Sequence, residues 1–245
     1  MHKSAGWQLI FSCEHGGNQV PPEYADLFDA AEEVLSTHRG YDLGIASFAR
    51  RLAGAFGVSL TMAEVTRLLV ELNRSPGHPG LFSEFSRDLP ARERRQLLER
   101  YYFPFRQEVT ERIKGIVAAG GAVCHISLHS FTPELKGEVR QTDIGLLYDP
   151  RRALERRFCS LWQNLLAEKQ ERFRIRRNYP YRGTADAFVT ALRRCFPATV
   201  YLGLELEVNQ KWPLQGGEVW SELQERLQQS LSSLWAMWPE QANKQ

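Results

Sequence analysis

The chain has 245 residues, 43% of them hydrophobic and 11% aromatic, with 31 Lys and Arg against 29 Asp and Glu. That apolar content and a net charge of only +2 exclude a disordered chain and leave no basic excess for nucleic acid. No apolar run approaches the roughly 20 residues of a membrane span, and the opening Met1–Trp7 carries no signal-peptide core. The four cysteines, Cys13, Cys124, Cys159 and Cys195, include no C-x-x-C pair, which suits reduced thiols better than a disulfide framework. The expectation is a soluble cytoplasmic protein of one domain over residues 1–245. It would be a monomer or small homo-oligomer with no nucleic-acid or membrane partner.

In chain order, Gln8–Cys13 reads as a short buried strand, broken by Glu14-His15-Gly16-Gly17-Asn18. Ile45, Phe48, Ala49, Leu52 and Phe56 fall at helical spacing, with Asp42 as a candidate N-cap and Gly57 as the stop. Val58–Met62 and Leu68–Leu72 are predicted strands. Phe105, Val109, Ile113 and Val117 mark a helix that Pro104 should start, because proline is tolerated in a first turn. Strands follow at Ala122–Leu128 and Ile144–Tyr148, then a helix with Leu154, Phe158, Leu161 and Leu165 on its apolar face. Phe173–Arg177 reads as a strand, Ala185–Arg194 as a short helix, and Thr199–Val208 as a strong strand. Val219, Leu223, Leu227, Leu231 and Leu234 face one side of a last helix, and the tail Ala242–Gln245 should fray. Such alternation predicts an α/β fold, a mixed, largely parallel sheet flanked by helices.

Two histidines stand where predicted strands end, His15 after Gln8–Cys13 and His129 after Ala122–Leu128. Ligands bind beyond the carboxyl ends of strands in open α/β sheets, so the two imidazoles can converge on one metal ion. In Leu204-Glu205-Leu206-Glu207-Val208-Asn209 the carboxylates share one strand face. Either that face is wet, or one Glu is a general base for an activated water. Arg74, just past Leu68–Leu72, and Arg67 point to an anionic substrate, since guanidinium pairs with carboxylate through two parallel hydrogen bonds. Arg94-Arg95, Arg156-Arg157 and Arg193-Arg194 read as solvated helix surface. Gly16-Gly17 allows close backbone approach to a ligand. Asp42 is a cap, a metal ligand or an orienting group for a ligating histidine. Ser130 beside His129 lacks the G-x-S-x-G elbow of a serine hydrolase. His125 and His78 have no partner pattern.

Together these segments resemble the N-formylglutamate amidohydrolase (formylglutamate deformylase) family. Ser12–Pro21 is similar to its opening motif, Tyr41–Gly44 with Arg67 and Glu71–Arg74 to its second block, and His129–Pro133 to its central histidine motif. Asp143–Gly145, Asn178–Gly183 and Glu205–Asn209 complete the order from about residue 10 to 210. The resemblance implies a fold similar to zinc carboxypeptidases and aspartoacylases, the phosphorylase/hydrolase-like arrangement, and a metal-dependent amide hydrolase. It implies His15 and His129 as ligands of a divalent metal, zinc by preference, and Glu207 as the catalytic carboxylate. It further implies Arg67, Asn73, Arg74, Asn178 and Tyr181 as the group binding a small anionic N-acyl amino acid. The zinc carboxypeptidases place a carboxylate ligand three residues after the first histidine, where this chain has Asn18. Asp42 is the preferred third ligand, with Glu14 and Asn18 as alternatives, and Glu205 remains an alternative to Glu207. N-Formyl-L-glutamate is the implied substrate; a deacylase for another acyl group, or a non-catalytic anion-binding protein, are the alternatives.

Overall fold

The computed structural model describes residues 6–168 and 172–242. In chain order the elements are β1 (Trp7–Cys13), α1 (Glu32–Leu35), α2 (Ile45–Phe56), β2 (Leu60–Met62), α3 (Ala91–Leu97), α4 (Phe103–Ala118) and β3 (Ala122–Phe131). They continue with β4 (Glu134–Leu135), β5 (Glu138–Val139), β6 (Ile144–Leu147), α5 (Ala153–Ala167), β7 (Ile175–Arg177), α6 (Phe188–Cys195), β8 (Tyr201–Asn209), α7 (Lys211–Gln215) and α8 (Gly217–Ala242). Six strands form one mixed sheet in the order β2-β1-β3-β8-β6-β7. β2, β1, β3 and β8 run parallel, β6 opposes β8, and β7 is parallel to β6. β4 and β5 make a separate antiparallel pair.

Side-chain alternation assigns the two sheet faces. Leu9, Phe11 and Cys13 of β1, Cys124, Ile126 and Leu128 of β3, and Leu202, Leu204, Leu206 and Val208 of β8 meet α2, α5 and α8 in the larger apolar core. The opposite face carries Ile10, Val123 and Tyr201 near the amino ends of the strands, where they pack with α4 and α6 in a second core. Toward the carboxyl ends this second face turns polar. Ser12 pairs with Ser127, Ser127 with Glu205, and His129 with Glu207. Each of these polar side chains is buried. The sheet is therefore greasy on one side and, at one end of the other side, ionisable.

Most predicted elements are present, with four informative departures. Leu68–Leu72 is no strand: the chain runs through successive turns, with Leu69 N bonded to Thr66 O and Arg74 N to Glu71 O. Its leucines are buried in the second core all the same, so the apolar run marked burial rather than extension. Pro104 does sit in the first turn of α4, as expected, but no loop precedes that turn. α3, a π-turn over Leu98–Tyr102 and α4 form one helical path, and Phe103 N bonds Leu98 O five residues back. That wider turn precedes a proline with no N–H to lose. Arg193 is not surface: its guanidinium side chain, 6% exposed, pairs with buried Glu155 and donates to Gly203 O. The face of α5 is also rotated, with Phe158, Cys159, Trp162 and Leu166 fully buried and Leu154, Leu161 and Leu165 at its flanks.

Gly16-Gly17 serves packing, since a Cβ at Gly17 would meet Glu64 O at 2.3 Å and one at Gly16 the Met62 side chain at 2.5 Å. The glycines let the loop after β1 press on the segment after β2. The expectation for residues 243–245 lies outside the described residues. Among the described residues no helix is long and apolar enough to cross a membrane.

Candidate active site

Three chain segments converge beyond the carboxyl ends of β1 and β3. His15 lies in the turn after β1, Asp42 just before α2, and His129 within β3, which continues past the predicted end at Leu128. Asp42 does not cap α2 with its side chain; the N-cap is Gly44. Instead Asp42 Oδ2 lies 3.3 Å from His15 Nδ1 and 3.0 Å from His129 Nδ1, and the two Nδ1 atoms are 3.2 Å apart. A tetrahedral ion with bonds of about 2.0 Å has ligand–ligand edges of about 3.3 Å. The observed triangle has those edges, and all three residues are buried. A His15–Asp42–His129 group could therefore hold a metal ion, with two nitrogens and one oxygen as donors. Asn18 points elsewhere, donating to Leu35 O at 3.0 Å.

Each member of the triangle is held from behind. His15 Nε2 bonds the Glu71 carboxylate. Asp42 Oδ1 accepts from Arg67 at 2.9 Å, and Asp42 Oδ2 also accepts from Ser130 N at 3.1 Å. His129 Nε2 lies 2.8 Å from Ser127 Oγ and 3.2 Å from Glu14 Oε2. Partners of this kind orient ligating groups and raise their basicity. Burial would raise the Asp42 carboxyl, but the charges of His15 and Arg67 hold it well below the usual range. Burial would also lower His129, yet its hydrogen bonds to Asp42 and Glu14 push it well up.

Glu14 anchors a longer buried chain. Burial would raise its pKa, but hydrogen bonds from His129 and Ser127 bring it to about 2, so it is ionised and only accepts. Ser12 and Ser127 donate to it at 2.9 and 2.6 Å. Having spent their protons, both hydroxyls must accept in turn, Ser12 from His125 Nε2 at 2.8 Å and Ser127 from His129 Nε2. Burial lowers the pKa of His125 to about 4, so it is neutral, and its Nδ1 accepts from Tyr201 at 2.9 Å. His129 is thus required to keep Nε2–H, which leaves Nδ1 as the atom a cation would take. Glu14 is behind the triangle rather than part of it.

The two β8 carboxylates differ. Glu205 Oε1 accepts from Asn73 Nδ2 at 2.9 Å. Glu207 Oε2 is buried with no hydrogen-bond partner among the described residues. Burial is the chief cause that raises Glu207 to about 8; nearby His129 opposes it, while Asp42 and Glu205 add to it. This strand face is not wet. Gly145, opposite Glu207 on β6, makes room for the loop above: a Cβ there would meet Tyr179 O at 2.2 Å.

Residues 7–212 match the family model of the N-formylglutamate amidohydrolases. The chain belongs to this family. A gene product of Agrobacterium tumefaciens of known structure is 28% identical, with a TM-score of 0.76 over 92% of this chain and 91% of that one. The N-formylglutamate amidohydrolase of Ralstonia eutropha JMP134 shares the fold, at 19% identity and a TM-score of 0.69, covering 92% of each chain. No curated protein matches the chain.

In this N-formylglutamate amidohydrolase family member a cavity of about 170 Å³ opens over the triangle. Of the residues expected to bind substrate, Arg67, Asn73, Arg74 and Tyr181 line it, together with Glu205 and Glu207. Asn178 does not. Its Oδ1 accepts from Tyr148 N at 3.0 Å and Gly183 N at 3.1 Å, which ties down the Asn178–Gly183 loop. Arg67 lines the cavity but is committed, donating to Asp42 and, through Nε at 2.8 Å, to Glu71. Ser130 Oγ donates to Leu43 O rather than to a histidine. Glu71 had no role assigned from sequence. Its signal was the Arg67–Glu71 spacing of four, which a strand assignment hid. Replacing Glu14 by Gln removes the charge behind His129 and turns one acceptor into a donor. Metal affinity, measured by competition with a chromophoric chelator, should fall roughly 10–100-fold; an unchanged affinity would leave Glu14 with packing alone.

Proposed function

We propose that the chain is a metal-dependent amidohydrolase that cleaves an N-formyl amino acid, foremost N-formyl-L-glutamate, to formate and the free amino acid. The observation that carries this reading is Glu207: a buried carboxyl with a free Oε2 and a pKa near 8, lining the same cavity as the His15–Asp42–His129 triangle. His15, Asp42 and His129 would hold the ion, and this nitrogen and oxygen donor set suits zinc. Such an ion, when bound, polarises the amide carbonyl and lowers the pKa of a water from about 15.7 to about 7.

The remaining work falls to the chain. Glu207 takes a proton from the attacking water at Oε2. It returns that proton to the amide nitrogen as the C–N bond breaks, so formate and the amine separate. A pKa near neutrality suits a group that must both accept and donate a proton. Glu205, tied to Asn73, stands beside it and adds to the raised pKa that burial chiefly sets. Arg74 holds a substrate carboxylate at the cavity wall. Arg67 steadies Asp42 and Glu71 rather than gripping substrate. Four unpaired cysteines suit a reducing compartment, in keeping with a cytoplasmic enzyme.

Formate release from N-formyl-L-glutamate should be readily measured with purified protein, vanish after chelation and return with zinc. Release that persists through exhaustive chelation would sink the metal-dependent reading. No release from any N-formyl amino acid by zinc-loaded protein would sink the substrate.

A further inference from the structure

The proposed substrate carries two carboxylates, yet most of the polar groups lining the cavity are already engaged. Arg67 spends Nε and both terminal nitrogens on Asp42 and Glu71. Asn73 donates to Glu205, and its Oδ1 accepts from Phe188 N at 2.7 Å. The Tyr181 hydroxyl is held by Arg140 at 3.1 Å. Arg74 commits one terminal nitrogen to the Asp186 backbone carbonyl. Arg182 also lines the cavity, and among the described residues its guanidinium has no hydrogen bond or ion pair. Subtraction leaves two guanidiniums with donors to offer, those of Arg74 and Arg182.

The loop that presents Arg182 is built rather than loose. Asn178 adopts a left-handed conformation, φ 53°. Its side chain bridges Tyr148 N and Gly183 N, so both ends of the Asn178–Gly183 loop are fastened to the chain just after β6. Gly183 is pressed against the Tyr148 backbone, where a Cβ would lie 2.1 Å from Tyr148 N. Within this frame Arg140 lies against the Tyr181 ring, 5.1 Å from its centroid. Holding a cationic side chain on a fixed loop lowers the ordering cost of binding an anion.

We propose that Arg182 determines specificity by binding the side-chain carboxylate of a dicarboxylic N-acyl amino acid, while Arg74 takes the α-carboxylate. Arg74 is fixed at the wall by Asp186, whereas Arg182, itself exposed, lines the same cavity from the Asn178–Gly183 loop, with its guanidinium uncommitted among the described residues. The cavity already contains Asp42, Glu205 and Glu207, so a dicarboxylate needs both cations to enter.

The allocation of the two carboxylates rests on the amide-hydrolase reading, but the test does not use turnover. Calorimetric titration compares glutarate, the five-carbon dicarboxylate, with glutaramate, its isosteric monoamide, on the zinc-loaded wild type and on Arg182→Gln. The wild type should bind glutarate about tenfold or more tightly over glutaramate, the ratio expected for one charge-assisted hydrogen-bonded pair. Arg182→Gln should erase most of that preference by weakening glutarate alone, and Arg182→Lys should restore part of it. A preference that survives in Arg182→Gln, or a wild type with none, overturns the proposal. Equal weakening of both ligands also overturns it, because Arg182 would then hold the carboxylate they share. If formate release fails while this pattern holds, the reaction is wrong and the dicarboxylate site stands.

Discussion

Replacing Glu207 by Gln is expected to lower formate release by at least about 10²-fold while the metal remains bound. The substitution keeps the shape of a buried side chain and removes only its ability to take and return a proton. The other carboxylates lining the cavity are engaged: Glu205 by Asn73, Asp186 by Ser75, and Asp42 by the two histidines of the triangle. Metal stoichiometry measured on the same sample separates loss of the base from loss of the site. Turnover within a few-fold of wild type would reassign the role to Glu205. The variant carries a second signature in stability. A carboxyl raised to about 8 from its ordinary 4.5 holds a proton in the native state that the unfolded chain has already released. Its contribution to the stability of the chelated protein is full below about 4.5 and is lost as pH rises through about 8. Glu207→Gln should remove that loss, so its stability relative to wild type rises across this window; urea melts at pH 5 and pH 9 measure it.

Asp42→Asn should cost the site its metal. Asp42 Oδ2 meets both histidine Nδ1 atoms and Ser130 N, and Oδ1 meets Arg67. An amide in that place gives up the negative charge that balances a divalent ion. The fall in affinity should exceed the roughly 10–100-fold that loss of an outer hydrogen-bonding partner costs. Formate release should fall with it and recover in part at high zinc. Stoichiometric zinc at wild-type affinity in Asp42→Asn would take Asp42 out of the ligand set, whereas the expected loss keeps it there beside His15 and His129. Competition with a chelator of known affinity decides between them.

Local chemistry made much of this protein legible in its sequence. Alternation along Leu204–Asn209 determines that Glu205 and Glu207 share a face, because strand geometry has a period of two whatever surrounds it. The strand-then-histidine order places His15 and His129 at one end of a parallel sheet. The motif order from Ser12 to Asn209 identifies the family, which the match over residues 7–212 shows.

Other assignments depend on partners far away in the chain, and only the tertiary structure decided them. Glu207 differs from Glu205 because Asn73, 132 positions away, reaches one and not the other. Asp42 is a member of the triangle rather than a helix cap because β3 brings His129 to it across 87 positions. Arg67 reads from sequence as an anion grip, and only the fold shows that its guanidinium pairs with Asp42 and Glu71 while lining the cavity. Leu68–Leu72 looks like a strand because burial and extension write the same apolar run, and only the neighbours tell them apart. Residue spacing fixes which side chains share a face. Which of them is spent on a neighbour, and which is left free to react, depends on contacts that no local pattern encodes.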